Sequence, residues 1–260
     1  EHYLGQTVYD VFPKEVADMF IERFNRIIKS GVEETIEERV ELLDKYISSS
    51  LQPVRDLSSD KVLGVQIIAR DITERRQTQK VQEALYKISE AINLTRDLEG
   101  LFRSIHEIIA ELMYAKNLYI ALYDLADETI SFPYFVDELE ESLPPRKKGK
   151  GLTEYVIRTG KPLLAPFEVF KKLEKKGEVE LIGDPWVDWL GVPLKIQEKT
   201  IGVMTVQNYS EDIRYSEKDK DILSFVSTQV AMAIERKQAE EQLKALNEEL
   251  EATNEELIST

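Results

Sequence analysis

The residues best suited to chemistry lie in the segment KKGKGLTEY, residues 147–155, where Lys150, Gly151 and Thr153 surround the start of a predicted helix. Gly149 and Gly151 let backbone amides face outward, and amides at a helix start flanked by lysines attract an anion. The segment is not a P-loop, because no Gly-Lys-Ser/Thr ends a correctly spaced run. A solvated charged loop is the simpler reading. Large aromatics cluster just before and after it: Tyr119, Tyr123, Phe132, Tyr134, Phe135, Trp186 and Trp189. Most belong to a core by default, and Tyr134 and Trp189 are taken with the glycine segment as candidate ligand-binding residues.

Other chemistries lack their residues. The chain has no cysteine, which removes disulfides, thiolate metal sites and cysteine nucleophiles together and fits a reducing cytoplasm. Two histidines, His2 and His106, leave little for a metal centre or a triad. No pair of carboxylates stands isolated in an apolar setting, so acid/base hydrolysis has no anchor. No metal or cofactor is expected, and an unidentified small-molecule ligand is left open. A net charge of −15 argues against nucleic acid as a partner, since the short run Arg146, Lys147, Lys148, Lys150 is too small to reverse it. No apolar run reaches membrane-spanning length. The chain begins at Glu1, as expected of a piece of a longer protein.

The elements that must position these residues follow from periodicity. Val16, Phe20, Phe24 and Ile27/Ile28 recur at helical spacing before Gly31, and two or three antiparallel strands follow, ending in KVLGVQIIARD. Thr73 is the expected cap of the next helix, with Val81, Leu85, Ile88 and Ile92 as a narrow seam. A second helix starts after Asp97, on Leu98, Leu101/Phe102, Ile105, Ile108/Ile109 and Leu112. Two hairpins are predicted, one turning at Leu125–Asp127 and one across Gln197–Thr200, with a short helix between them closed by Gly160. The last helix starts near Ser216 and meets no breaker. Beyond Arg236 it keeps only the stripe Leu243, Leu246, Leu250, Thr253, Leu257, a heptad seam that needs a partner helix. A second copy of the chain is the simplest partner.

At this level the residues resemble known families. GLTEYVIRTGKPLL, WLGVPLKI and IGVMTVQN, followed by VAMAIERKQ, resemble a GAF domain over roughly residues 85–236. GQTVYDVFP, SLQPVRD and GVQIIARDITERR resemble the later part of a PAS domain over residues 1–76. The two strands that open a PAS sheet have no counterpart, so the strand at 63–70 is expected to expose an edge. The segment HEIIA begins like the phospho-acceptor motif of a histidine kinase and then departs from it at Ile109 and Ala110, leaving His106 as an ordinary helix-flank histidine. The nucleotide signature of cyclic-nucleotide-binding GAF domains is not met. The absence of cysteine removes the sulfoxide-reductase and bilin-attaching variants of the family.

The resemblance implies an α+β chain: a GAF domain, its antiparallel sheet flanked by helices, preceded by a partial PAS-like α/β module. Residues 1–73 are the PAS-like part, 74–96 a connecting signalling helix, 97–236 the GAF domain (with residue 85 as the alternative start) and 237–260 a coiled coil. The implied function is sensing and signal transmission in a cytoplasmic protein, without turnover in this segment. Such a protein is a sensor histidine kinase, with a small-molecule- or cyclic-nucleotide-binding GAF module feeding a cyclic-dinucleotide enzyme or transcription regulator as the alternative. The implied partners are a second copy through the helices and an output domain after residue 260. Asp71, Thr73 and Arg76 mark the joint between the two modules.

Overall fold

A computed structural model describes residues 4–43, 45–95 and 97–259, with side chains apart from those of residues 42 and 255–259. The chain divides into two compact units, Glu1–Gln79 and Lys80–Thr260.

The first unit starts with a single turn, α1 (Val8–Val11), and the helix α2 (Lys14–Ser30), which ends where Gly31 turns left-handed at φ 64°. Strands β1 (Glu34–Val40), β2 (Lys45–Arg55) and β3 (Val62–Asp71) follow in antiparallel order β1-β2-β3. β1 alternates between exposed and half-buried residues, as a strand with one covered face should. Helix α2 packs on β2 and β3, and its Ala17 and Ile27 are buried. Among the described residues β3 pairs with β2 alone, and Leu63, Ile67 and Ile68 along it are exposed. The expected open edge is therefore present.

The long helix α3 (Thr73–Leu94) crosses the division between the units. In the second unit its later turns bury Ala84, Ile88 and Ala91. Helix α4 (Leu98–Leu112) begins at Asp97, whose side chain accepts a hydrogen bond from Gly100 N at 2.8 Å. A six-stranded antiparallel sheet follows, in the order β6-β5-β4-β9-β8-β7. Its strands are β4 (Asn117–Asp124), β5 (Thr129–Val136), β6 (Arg146–Lys147), β7 (Leu163–Pro166), β8 (Asp188–Ile196) and β9 (Lys199–Asn208). The short helices α5 (Leu152–Thr159) and α6 (Phe167–Lys175) lie between its strands in sequence. Helix α7 (Glu217–Ser259) closes the chain.

Alternation along the strands sorts side chains to two faces. On one face Leu118, Ile120, Leu190, Val192, Leu194, Met204 and Val206 meet α3, α4 and α7, forming the larger apolar core. On the other, Tyr119, Ala121, Trp189 and Val203 meet α5, α6 and the segment around Trp186. The sheet is thus the middle of three layers, and the aromatic side is separate from the helical core.

Candidate functional site

Within the second core, on the α5/α6 side of the sheet, lies a small cavity of about 60 Å³. This has room for about four to six waters, or the head of a compact ligand. Its walls include Tyr119, Phe132, Phe135, Trp186, Trp189 and Tyr209. Tyr119 is the hub. Its hydroxyl accepts from Trp189 Nε1 at 3.1 Å and lies 3.0 Å from Thr153 Oγ1, while its ring stacks on Phe135 at 5.9 Å. Burial pushes the Tyr119 phenol up from its ordinary value, with the Thr153 hydrogen bond acting against that. Trp189 lies over the backbone of Gly191, where a β-carbon would run into the ring. The spacing Trp-Leu-Gly puts the indole and the missing side chain on the same face of β8.

One end of the cavity carries Arg146 and the start of α5. Arg146 Nη2 lies 3.3 Å from Glu154 Oε1, and its guanidinium rests on the Phe132 ring at 5.2 Å. Glu154 is buried to 2% exposure, yet its Oε2 and the Arg146 Nε have no hydrogen-bond partner. Gly149 N donates to Glu154 Oε1 at 3.4 Å. Glu154 is the third residue of α5, so a carboxylate already sits where the positive end of that helix points. The other end is polar. Gln207 Nε2 donates to Asp137 Oδ2 and to the Tyr209 hydroxyl, each at 2.7 Å. Tyr209 in turn donates to Asp137 at 3.0 Å, and its phenol is pushed far up by burial, with Asp137, Glu140 and Asp184 adding to the effect. Glu140 and Asp184 line the cavity, and Glu140 Oε1 packs against Gly183.

The predicted residues divide accordingly. Gly151, Thr153 and Trp189 line this cavity. Lys150 does not: it is exposed, lies 3.4 Å from Glu180, and borders a separate surface depression with Lys148, Glu154 and Arg158. Tyr134 is on the opposite face of the sheet, edge-on to Phe102 and donating to or accepting from His106 Nδ1 at 2.8 Å. The cause is a bulge. Ile120 pairs with Tyr134 but Leu122 pairs with Ser131, so β5 holds one extra residue around Phe132–Pro133. The extra residue sends Tyr134 to the helices and Phe135 to the cavity, against simple alternation. His106 is half-buried, with its other ring nitrogen 2.5 Å from the Ala115 carbonyl, and so serves as a helix-to-sheet tie. Sequence reading missed the Arg146–Glu154 pair and the Asp137–Gln207–Tyr209 group. The one local signal was Glu154 three residues after a glycine at a helix start.

The joint at the end of β3 has its own geometry. Ile72 N donates to the Tyr46 carbonyl at 2.9 Å, and Tyr46 N donates to Thr73 Oγ1 at 2.9 Å. Thr73 is therefore the first helical residue and not the cap, because its hydroxyl is turned back onto β2. Asp71 caps in its place, accepting from Thr73 N at 3.0 Å and pairing with Lys45 at 2.8 Å. Arg76 pairs with Glu37 of β1. Along α7, Leu243, Leu246 and Leu250 are all exposed, and the side chain of Leu257 lies outside the described residues.

Two domain families account for this layout. A PAS fold model matches residues 1–77 and a GAF domain model residues 95–235, the pairing of sensory domains in a signalling protein. The GAF match takes in more than half of the chain, which belongs to the GAF domain family. The nitrogen fixation protein AnfA of Azotobacter vinelandii is 24% identical over 164 residues, covering 60% of this chain. The chain spans about 30% of that relative's length. The GAF domain of the Acinetobacter phosphoenolpyruvate-protein phosphotransferase superposes with a TM-score of 0.51 at 18% identity, over 63% of this chain and 95% of that one. The corresponding domain from Coxiella burnetii gives 0.52 at 17%, over 63% and 98%. These likenesses establish the fold. No helix among the described residues is long and apolar enough to cross a membrane.

Proposed function

We propose that this chain is the sensing and transmission part of a cytoplasmic signalling protein, acting as a dimer through its helices. A small molecule entering the aromatic cavity would shift the packing of the GAF domain between two states. Helix α7 would carry the shift to an output domain by rotation or change of register against its copy. A histidine kinase, a cyclic-dinucleotide enzyme and a transcription regulator are each outputs that such a helix pair can drive.

The observation that carries this reading is the change of character along one unbroken helix. In its first half α7 buries Leu223, Val226, Val230, Ala231, Ala233 and Ile234 in the domain core. In its second half the heptad leucines Leu243, Leu246 and Leu250 are about 60% exposed. A helix rooted in a sensory core that then presents an uncovered seam suits transmission between two copies. Light scattering on the chain with and without residues 237–260 tests it. A dimer that becomes a monomer on truncation is expected, and a monomer in both cases would end this reading. Because the chain has no cysteine, Leu243→Cys and Leu246→Cys variants give clean disulfide cross-linking across the seam. Cross-linking yields that differ between ligand-free and ligand-bound protein would measure the shift itself.

A further inference from the structure

We infer that the GAF cavity takes a small organic cation, an ammonium or amine on a short apolar body, and not an anion or a nucleotide phosphate. The inference rests on the sensory reading of this cavity and adds the chemical class of its ligand.

Three observations give the sign of the charge. The first is the state of Arg146, the cation in the walls. Its guanidinium rests on Phe132 and faces Glu154, so its charge is met by a ring and a buried carboxylate, while its Nε is left without a partner. The second is Glu154 itself. Its carboxylate is buried with one oxygen unpartnered, and that oxygen lies against Gly151 of the cavity wall, 2.6 Å from where a β-carbon would stand. It holds the position at the start of α5 that a phosphate would need. The third is a group of carboxylates at the cavity. Glu140 and Asp184 line the cavity and Asp137 holds the wall residues Gln207 and Tyr209, and among the described residues none of the three carboxylates forms an ion pair with a lysine or arginine. Aromatic side chains make up much of the rest of the wall, and aromatic rings attract a cation. Volume sets the size: about 60 Å³ accepts an ammonium head and a few carbons and has no room for a nucleoside.

Titration of the 260-residue chain, followed by calorimetry and by the fluorescence of Trp186 and Trp189, tests this with three matched probe sets. These are n-propylammonium, n-butylammonium and tetramethylammonium; propionate and butyrate; and n-butanol. At least one ammonium probe is expected to saturate a single site at least about tenfold more tightly than its carboxylate and alcohol counterparts, and added salt should weaken it. The paired substitution Glu140→Gln with Asp184→Asn removes charge from the wall without touching its rings, and is expected to lower ammonium affinity by about tenfold or more. Equal or tighter binding of a carboxylate or of butanol would overturn the inference, as would ammonium affinity unchanged in the paired variant. If carboxylate or alcohol binds in this cavity, the sensory reading survives and only the charge class fails. If no probe of any class binds while the folded far-UV spectrum is intact, both fail.

Discussion

Gly191 controls the shape of the cavity more tightly than any polar residue in it. A methyl group there would drive into the Trp189 ring, whose indole N–H is tied to Tyr119. Gly191→Ala is expected to destabilise the domain by about 1–3 kcal/mol, as overpacking does, and to abolish ligand binding by pushing the indole into the cavity. Thermal unfolding and probe titration read the two effects separately. Tyr134→Phe should behave in the opposite way. It removes the hydrogen bond to His106 on the helical face, lowering stability by about 1 kcal/mol, and leaves ligand affinity unchanged. A loss of affinity in that variant would contradict the placement of Tyr134. At the joint, Lys45 and then the Thr73 hydrogen bonds hold the Asp71 carboxyl well below the usual carboxylate range. Its contribution is therefore complete above the unfolded value of about 3.9 and is lost only as the pH falls through the lower folded value. A carboxyl carbon titration of Asp71 should show no inflection near pH ~4, the ordinary carboxylate value, and one there would remove the cap.

At the scale of elements, most of the fold was legible beforehand because its signals are local. Gly31 and Gly160 close their helices left-handed, Asp97 caps α4, and Ser216 shares a capping box with Asp219 at the head of α7. Two features were not legible. Thr73 has the composition of a cap, but a tertiary hydrogen bond from Tyr46 claims its hydroxyl. The bulge in β5 is a matter of pairing with β4, which no window on one strand reveals. The far half of α7, from residue 237 to 259, is about 35 Å of helix at 1.5 Å per residue. Ala239→Pro, between the rooted half and the seam, is expected to break the helix at a cost of about 3 kcal/mol. Combined with Leu243→Cys, it should abolish ligand-dependent cross-linking while leaving probe affinity intact. Cross-linking that still responds to ligand would show the helix is not the carrier.

Across the whole second unit, the helical core and the aromatic cavity draw on different faces of one sheet. Ile105→Ala, in the fully buried helical core, should cost about 2–5 kcal/mol in denaturant unfolding without altering probe affinity. The cavity residues were only partly foreseeable, because Tyr119, Arg146, Trp186 and Tyr209 come together from separate parts of the chain and carry no shared motif. The three-layer arrangement also bears on how far a message must travel. Tyr119 and Trp189 face the ligand side, while their immediate neighbours Ile120 and Leu190 are embedded among the helices that include α7. A single peptide unit, about 3.8 Å from one α-carbon to the next, separates the surface that lines the cavity from the surface that packs on α7. No relay of intervening side chains is needed: a tilt of one strand is felt on both sides at once, as a see-saw moves at both ends.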